Sequence, residues 1–244
     1  MVTPSRQWEV RVVIPALNEE LSLGKVLRAL PDDPVSSIHV ADNGSTDRTA
    51  DIAAKYGARV VHESRKGYGS ACIAALEDVR SVIEDPENEI IVFLDGDFSD
   101  DPSCLPILIE PLIQGEADLV LGNRAHRGIS KGALTPQQRF GNRLATCLIR
   151  LIHGTSFQDL GPFRALRWET LEEMKMQDPD FGWTVEMQIK AARMNLRIRE
   201  IDLPYRPRIG TSKISGTLKG SFQAGVKIMS WILRDLWAGP RNQT

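Results

Sequence analysis

Two carboxylates one residue apart, Asp95 and Asp97 around Gly96, directly follow the apolar run from Ile90 to Leu94. On a turn at the end of a buried segment both can face one pocket, where unpaired they would repel each other and resist desolvation. A divalent cation removes that cost, and oxygen-only ligands suit Mg2+ or Mn2+. Such an ion would bridge to a diphosphate and neutralise charge on a leaving nucleoside diphosphate. The pattern is short, and Asp100 and Asp101 extend it, so a solvated acidic turn is the competing reading. Asp42, in Asp42-Asn43-Gly44-Ser45, could accept a hydrogen bond from a nucleobase or ribose, or close an Asx turn. Further on, Arg206-Pro207-Arg208-Ile209-Gly210-Thr211-Ser212-Lys213 gathers cations and hydroxyls around a glycine. Arg208 could fork onto phosphate oxygens there and Lys213 act as a point charge. Arg124 and Arg139 are further candidate phosphate ligands. Gly67-Tyr68-Gly69 resembles the opening of a dinucleotide fingerprint, but Cys72 takes the third glycine position and the triplet does not follow the first strand.

The elements that must position these residues alternate in type. Apolar strand patterns at Val10–Ile14, Ser37–Ala41, Arg59–His62 and Glu89–Leu94 are separated by helical patterns at about 21–30, 47–56 and 69–79. Gly57 supplies a helix stop and Asp47 a helix cap. Such alternation predicts an α/β fold with a mostly parallel central sheet and helices on both faces. In such sheets ligands bind beyond the carboxyl ends of the strands. The segments found there are Pro15-Ala16-Leu17-Asn18-Glu19, Asp42-Asn43-Gly44-Ser45, Lys66-Gly67 and Asp95-Gly96-Asp97. The second half predicts helices over 105–114, 137–153 and 183–194 and strands over 118–121 and 197–205, without repeat or linker. A single domain over 1–244 is expected.

Composition narrows the function classes. The 244 residues carry a formal charge of -2, without the basic excess of a nucleic-acid binder. The three cysteines and four histidines are scattered, which argues against a disulfide framework or a zinc cluster and suggests a reducing, cytoplasmic setting. The opening residues lack the apolar segment of a signal peptide, and no apolar run reaches the length of a membrane span. Any membrane contact is therefore expected to be peripheral, at the cytoplasmic face.

Taken in order, Pro15-Ala16-Leu17-Asn18-Glu19, Asp42-Asn43-Gly44-Ser45, Asp95-Gly96-Asp97, Gly122-Asn123-Arg124, Gly161-Pro162-Phe163-Arg164-Ala165 and Arg208 with Ser212-Lys213 resemble glycosyltransferase family 2. Within it they are similar to the polyprenyl-phosphate mannose and glucose synthases. The resemblance implies the GT-A fold, a nucleotide-sugar donor, a divalent metal and inverting transfer of a hexose from UDP-glucose or GDP-mannose to a polyprenyl phosphate. It implies that Pro15, Leu17, Asn18, Glu19 and Asp42 hold the nucleoside, with Lys66 and Gly96 beside them. Asp97 would be the main metal ligand, with Asp95 near the ribose, the sugar or the metal. Arg208, Ser212 and Lys213 would close over the donor phosphates, and Arg124 and Arg139 would grip the acceptor phosphate. A soluble acceptor, either a phosphorylated small molecule or a sugar hydroxyl, is the alternative, and a hydroxyl would need a general base, for which Asp159 is the candidate. A catalytically silent nucleotide-sugar binder is a further alternative. Trp183 and Glu186 could contact the donor sugar, or Trp183 could sit in the core. The Gln-x-x-Arg-Trp motif of processive synthases is missing from Gly182–Met187, which argues against a polymerase.

Residues 214–238 have helical spacing, with Leu218, Phe222, Val226, Met229, Leu233 and Leu236 on one face. Lys219, Gln223, Lys227, Ser230 and Arg234 fall on the other. That stripe could lie on a membrane surface, pack on the sheet domain or meet a second subunit in a homo-oligomer.

Overall fold

The computed structural model describes residues 8–126, 130, 133–210 and 230–231. Ser212, Lys213 and, apart from Ser230 and Trp231, the amphipathic stretch 214–238 lie outside them. The chain alternates β1 (Glu9–Ala16), α1 (Leu23–Ala29), β2 (Val35–Asp42), α2 (Thr49–Lys55), β3 (Arg59–His62), α3 (Tyr68–Arg80) and β4 (Glu89–Phe93). Then come α4 (Leu105–Ile113), β5 (Leu119–Asn123), α5 (Pro136–His153), β6 (Arg164–Arg167), α6 (Trp168–Met174), α7 (Trp183–Arg193) and β7 (Ile198–Asp202).

One seven-stranded sheet runs in the order β3-β2-β1-β4-β6-β5-β7. All pairings are parallel except those of β6, which is antiparallel to both β4 and β5. The α/β reading with a mostly parallel sheet is borne out, but β6 and α6 were not foreseen. The reason is chemical, because β6 opens on Arg164, a residue that reads as polar surface. Its guanidinium is in fact fully buried and donates to the carbonyls of Leu160, Gly161 and Thr184.

Alternation along the strands divides the core between the two sheet faces, as a pleat requires. Val10, Val12 and Ile14 of β1 join Ile90, Val92 and Leu94 with α1 and α4 on one face. Val13, Ile91 and Phe93 join α3 and α7 on the other. All five β4 residues are buried, as expected of a central strand covered on both sides. The one acid among them, Glu89, is matched by Arg11 at 2.9 and 3.0 Å.

The topology creates one switch point. From β1 the chain moves outward through β2 and β3, then returns so that β4 pairs with the other edge of β1. Loops leaving the two adjacent carboxyl ends diverge there and leave a crevice. Pro15, Ala16, Leu17 and Glu19 line one side of it and residues 95–97 its floor.

Candidate active site

A cavity of about 230 Å3 opens at this switch point. Of the residues singled out from sequence, Pro15, Leu17, Glu19, Lys66, Asp95, Gly96, Asp97 and Arg208 line it. Asn43 lines it too, from a segment expected beyond a strand end but without a role of its own, and so do Tyr68 and Phe181, which nothing in their spacing marks. Asn43 organises the wall by side-chain bonds to backbone. Its amide donates to the carbonyls of Glu63 and Arg65 and accepts from the Gly67 N–H at 2.8 Å, which shapes the loop bearing Lys66.

Asn18 and Asp42 lie next to the cavity without lining it. Asn18 adopts a left-handed backbone (φ 53°), and its carbonyl oxygen accepts from the Thr46 N–H at 2.7 Å. Asp42 accepts from the Ser45 N–H at 3.1 Å, and its other oxygen lies 3.3 Å from His62 Nδ1. The Asn18 bond ties the loop after β1 to the loop after β2, while Asp42 closes the turn to Ser45 and joins the end of β3.

Asp95 and Asp97 stand at the floor. The Tyr68 hydroxyl donates to Asp95 Oδ1 at 3.0 Å, and the Ser99 N–H and hydroxyl both donate to Asp97 Oδ1. Burial, reinforced by the Asp97 charge, pushes the Asp95 carboxyl up to about 7. Arg208 reaches this floor because its backbone is pinned. Ile209 N–H donates to the Asp97 carbonyl and Arg206 N–H to the Ser99 carbonyl. The Arg208 guanidinium then lies 2.7 Å from Glu19 and 3.5 Å from Asp97, with Nε buried and without a hydrogen-bond partner among the described residues. Arg206 does not enter the cavity but stacks on Phe98 and pairs with Asp101.

This donor set suits a divalent cation. Two neighbouring carboxylates share the single guanidinium of Arg208, 3.5 Å from Asp97, and burial drives Asp95 toward its protonated form. Magnesium-type ions commonly take one or two protein carboxylates and complete their shell with phosphate oxygens and water. Among the described residues no group of three or more His, Cys, Asp and Glu side chains converges. The protein therefore offers a two-carboxylate face rather than a closed cage.

Behind the floor, Arg124 at the end of β5 forks onto Asp159 at 2.8 and 3.1 Å and stacks over the Tyr205 ring. Burial works against the Arg124 charge, and the Asp159 carboxylate more than restores it. Burial likewise opposes the Asp159 charge, yet Arg124 holds that carboxyl below its ordinary value. Asp159 also accepts from the backbone N–H groups of Arg124 and Leu160, so both its oxygens are engaged. A fully buried carboxylate carrying four hydrogen bonds is a poor proton acceptor, and its reading as general base is corrected to a positioning one. Gly161 permits the arrangement, since a Cβ there would lie 2.5 Å from the Gly122 carbonyl. Asp100 is buried beside the same group, and burial raises its carboxyl well above the usual range.

Arg139 is exposed in the first turn of α5 and is not brought to the cavity. One turn later Asn142 accepts from the Leu160 N–H and donates to the Gln158 carbonyl, fixing α5 beside the Asp159 segment. Trp183 sits in the core, edge-on to Phe93 with centroids 6.0 Å apart. Glu186 is fully buried and accepts from the backbone N–H groups of Gln177 and Asp178. Neither faces the cavity, so a contact with the donor sugar is excluded for both in this arrangement.

A mostly parallel sheet with a switch-point cleft, an Asp-x-Asp floor and a cationic arm is the GT-A arrangement of sugar transferases. The chain belongs to glycosyl transferase family 2, whose family profile matches residues 11–201. An uncharacterized glycosyltransferase of Mycobacterium tuberculosis is 38% identical over 216 residues, spanning 88% of this chain and 94% of the relative. The undecaprenyl-phosphate mannosyltransferase of Micrococcus luteus is 30% identical over 247 residues, spanning 95% and 97%. Among solved structures, glucosyl-3-phosphoglycerate synthase from M. tuberculosis, in complex with Mn2+, UDP-glucose and phosphoglyceric acid, superposes with a TM-score of 0.72. It is 24% identical, with 93% of this chain and 79% of that one covered. This protein is an enzyme of sugar transfer.

Proposed function

We propose that the enzyme transfers a hexose, with inversion, from UDP-glucose or GDP-mannose to the phosphate of a polyprenyl phosphate. The observation that carries the acceptor class is the Arg124–Asp159 pair. The carboxylate that would have served a hydroxyl acceptor as base is consumed by the guanidinium behind the donor floor. A phosphate acceptor is already ionised near neutral pH and needs no such base, so positioning and charge stabilisation are the work left to the protein. The full-length likeness to the undecaprenyl-phosphate mannosyltransferase of M. luteus supports a lipid carrier of that phosphate.

In this reading Pro15, Leu17, Glu19 and Lys66 hold the donor in the cleft, and Asp97 and Asp95 hold Mg2+ or Mn2+. That ion would neutralise the diphosphate as it leaves. Arg208 leaves Glu19 and Asp97 for the donor phosphates, where its orphaned Nε gains an acceptor. Arg124, held behind the floor by Asp159 and Tyr205, backs the site with its charge while the acceptor phosphate attacks the anomeric carbon in line. A phosphorylated small molecule is the second reading, supported by the fold likeness to the phosphoglycerate enzyme.

The test offers each radiolabelled donor, with Mn2+ or Mg2+, against polyprenyl phosphate in detergent and against 3-phosphoglycerate in buffer. Label is expected in the organic phase with one donor and should fall at least about 100-fold in Asp97→Ala, the scale of losing a pre-organised charge stabiliser. Metal-dependent label in the soluble product alone overturns the lipid acceptor and leaves the transferase.

A further inference from the structure

The two acids of the floor are held in different ways. Asp97 is set within its own turn, where Oδ1 accepts from the Ser99 N–H at 2.9 Å and the Ser99 hydroxyl at 2.6 Å. Asp95 is set from 27 residues away in sequence, through the Tyr68 hydroxyl at 3.0 Å. Among the described residues no other hydrogen bond reaches the Asp95 carboxylate. Tyr68 is the first residue of α3, and its backbone is fixed on both sides. The Gly67 N–H donates to Asn43 Oδ1 at 2.8 Å, and the Gly69 and Ser70 N–H groups donate to the carbonyls of Asp180 and Pro179 at 3.1 and 2.8 Å. The Tyr68 ring packs against the core that α3 shares with β4 and α7. With backbone and ring both held, the hydroxyl is delivered to one place. A phenylalanine would serve that packing as well, so the hydroxyl is the feature that packing leaves unexplained.

We propose that Tyr68 is a positioning residue, whose hydroxyl engages Oδ1 of Asp95 and leaves the other oxygen for the divalent cation. Groups that hold a metal are commonly oriented by hydrogen bonds from outside the ligand set, and losing such a bond weakens metal binding by about 10- to 100-fold. A tyrosine suits that place. Its hydroxyl is protonated at neutral pH and so donates to the carboxylate, whereas a lysine or arginine would add a charge that competes with the cation. The inference rests on the reading of Asp95 and Asp97 as the metal face and extends it. Asp97 keeps its orientation whatever α3 does, while Asp95 depends on the contact between the start of α3 and residues 178–180. Packing at that contact is thereby coupled to the affinity of the cleft for its ion.

The experiment is isothermal titration of the full chain with whichever of UDP and GDP the parent binds, once in Mn2+ and once in chelator. The variants are Tyr68→Phe, Asp95→Ala, the two combined, and Asp97→Ala as the metal control. Each is checked for folding by circular dichroism and thermal melting in chelator, and Tyr68→Phe keeps the ring that packs on the core. The ratio of the affinities with and without Mn2+ isolates the contribution of the ion. In Tyr68→Phe that ratio should fall at least about tenfold, with the affinity in chelator unchanged. In the Asp95→Ala background the same substitution should have no further effect, because the group it acts through is gone. An equal loss with and without Mn2+ overturns the proposal and makes Tyr68 a packing residue of the cleft. So does a fall in the ratio that persists undiminished in the Asp95→Ala background. An unchanged ratio in Tyr68→Phe, beside a lost one in Asp97→Ala, overturns the role of Tyr68 and leaves the metal face standing. A parent whose affinity Mn2+ does not raise sinks the metal face and the proposal with it.

Discussion

Asp95 carries the cost of its position. In an unfolded chain an aspartate titrates near 4, whereas burial and the neighbouring Asp97 charge raise this one to about 7. Between those values the folded protein holds a proton that the unfolded chain has released, so the Asp95 contribution to stability declines as pH rises through that window. Below the lower value it is fully present. Asp100, also raised by burial, acts in the same direction, while His39, lowered by burial, opposes it near its own ordinary value. The difference between parent and variant isolates Asp95. In the presence of a chelator, the melting temperature of Asp95→Asn should fall less than the parent's between pH 5 and pH 8, given a folded value of about 7. Mn2+ should stabilise the parent more at the upper end of that range than at the lower. Parallel pH curves for parent and variant would show that Asp95 is not the group that titrates. At this scale Asp95, Asp97 and Arg208 were legible because charge at strand ends is conspicuous. Tyr68 and Phe181 were not, because their place depends on loops that meet only in three dimensions. Asp159 was legible as a carboxylate of consequence, but its saturation by Arg124 is a tertiary fact.

The strands and helices of the first half were readable because apolar runs and 3.6-residue periodicity coincide with turn residues. Strand β6 was not, since its four residues open on a charged side chain and gain their identity from the buried carbonyls around it. The Gly67-Tyr68-Gly69 triplet shows the same limit. It marks the start of α3, and its glycines serve packing. The Gly69 and Ser70 N–H groups donate to the carbonyls of Asp180 and Pro179. A Cβ on Gly69 would lie 1.8 Å from the Asp178 carbonyl oxygen, and one on Gly67 2.1 Å from that of Pro179. Gly67 also has φ 145°, a region that side chains avoid. The loop at 178–182 and the helix α3 therefore dock backbone to backbone, and both Tyr68 and Phe181 reach the cavity from that seam. Gly69→Ala should force the loop away, costing about 2 kcal/mol or more of stability in urea unfolding, with a weakened donor KM. A variant with parental stability and KM would mean that the seam has slack.

At the scale of the whole molecule, the same seam receives a residue from beyond the sheet. The Trp231 indole N–H donates to Asp178 Oδ2, and its ring lies 5.9 Å from the Lys190 ammonium. It sits so close to Gly182 that a Cβ there would be 2.5 Å from it. Asp178 in turn accepts from the Asp180 and Gly182 N–H groups, which shapes the loop bearing Phe181. Trp231 thus reaches the donor cleft through one carboxylate, without touching the cavity itself. Phe at position 231 keeps the aromatic packing and removes only the donor. A hydrogen bond to a charged group is worth about 1.5–3 kcal/mol when buried, and about 1 kcal/mol at this half-buried site. If that order is spent on holding the 178–182 loop, Trp231→Phe should weaken nucleotide-sugar binding about fivefold, with the rate at saturating donor nearly unchanged. Isothermal titration with the nucleoside diphosphate and Mn2+ reads this directly. An unchanged Kd with a lowered melting temperature would make Trp231 a support of the fold alone, whereas the expected shift would show that residues beyond the sheet govern how well the cleft holds its donor.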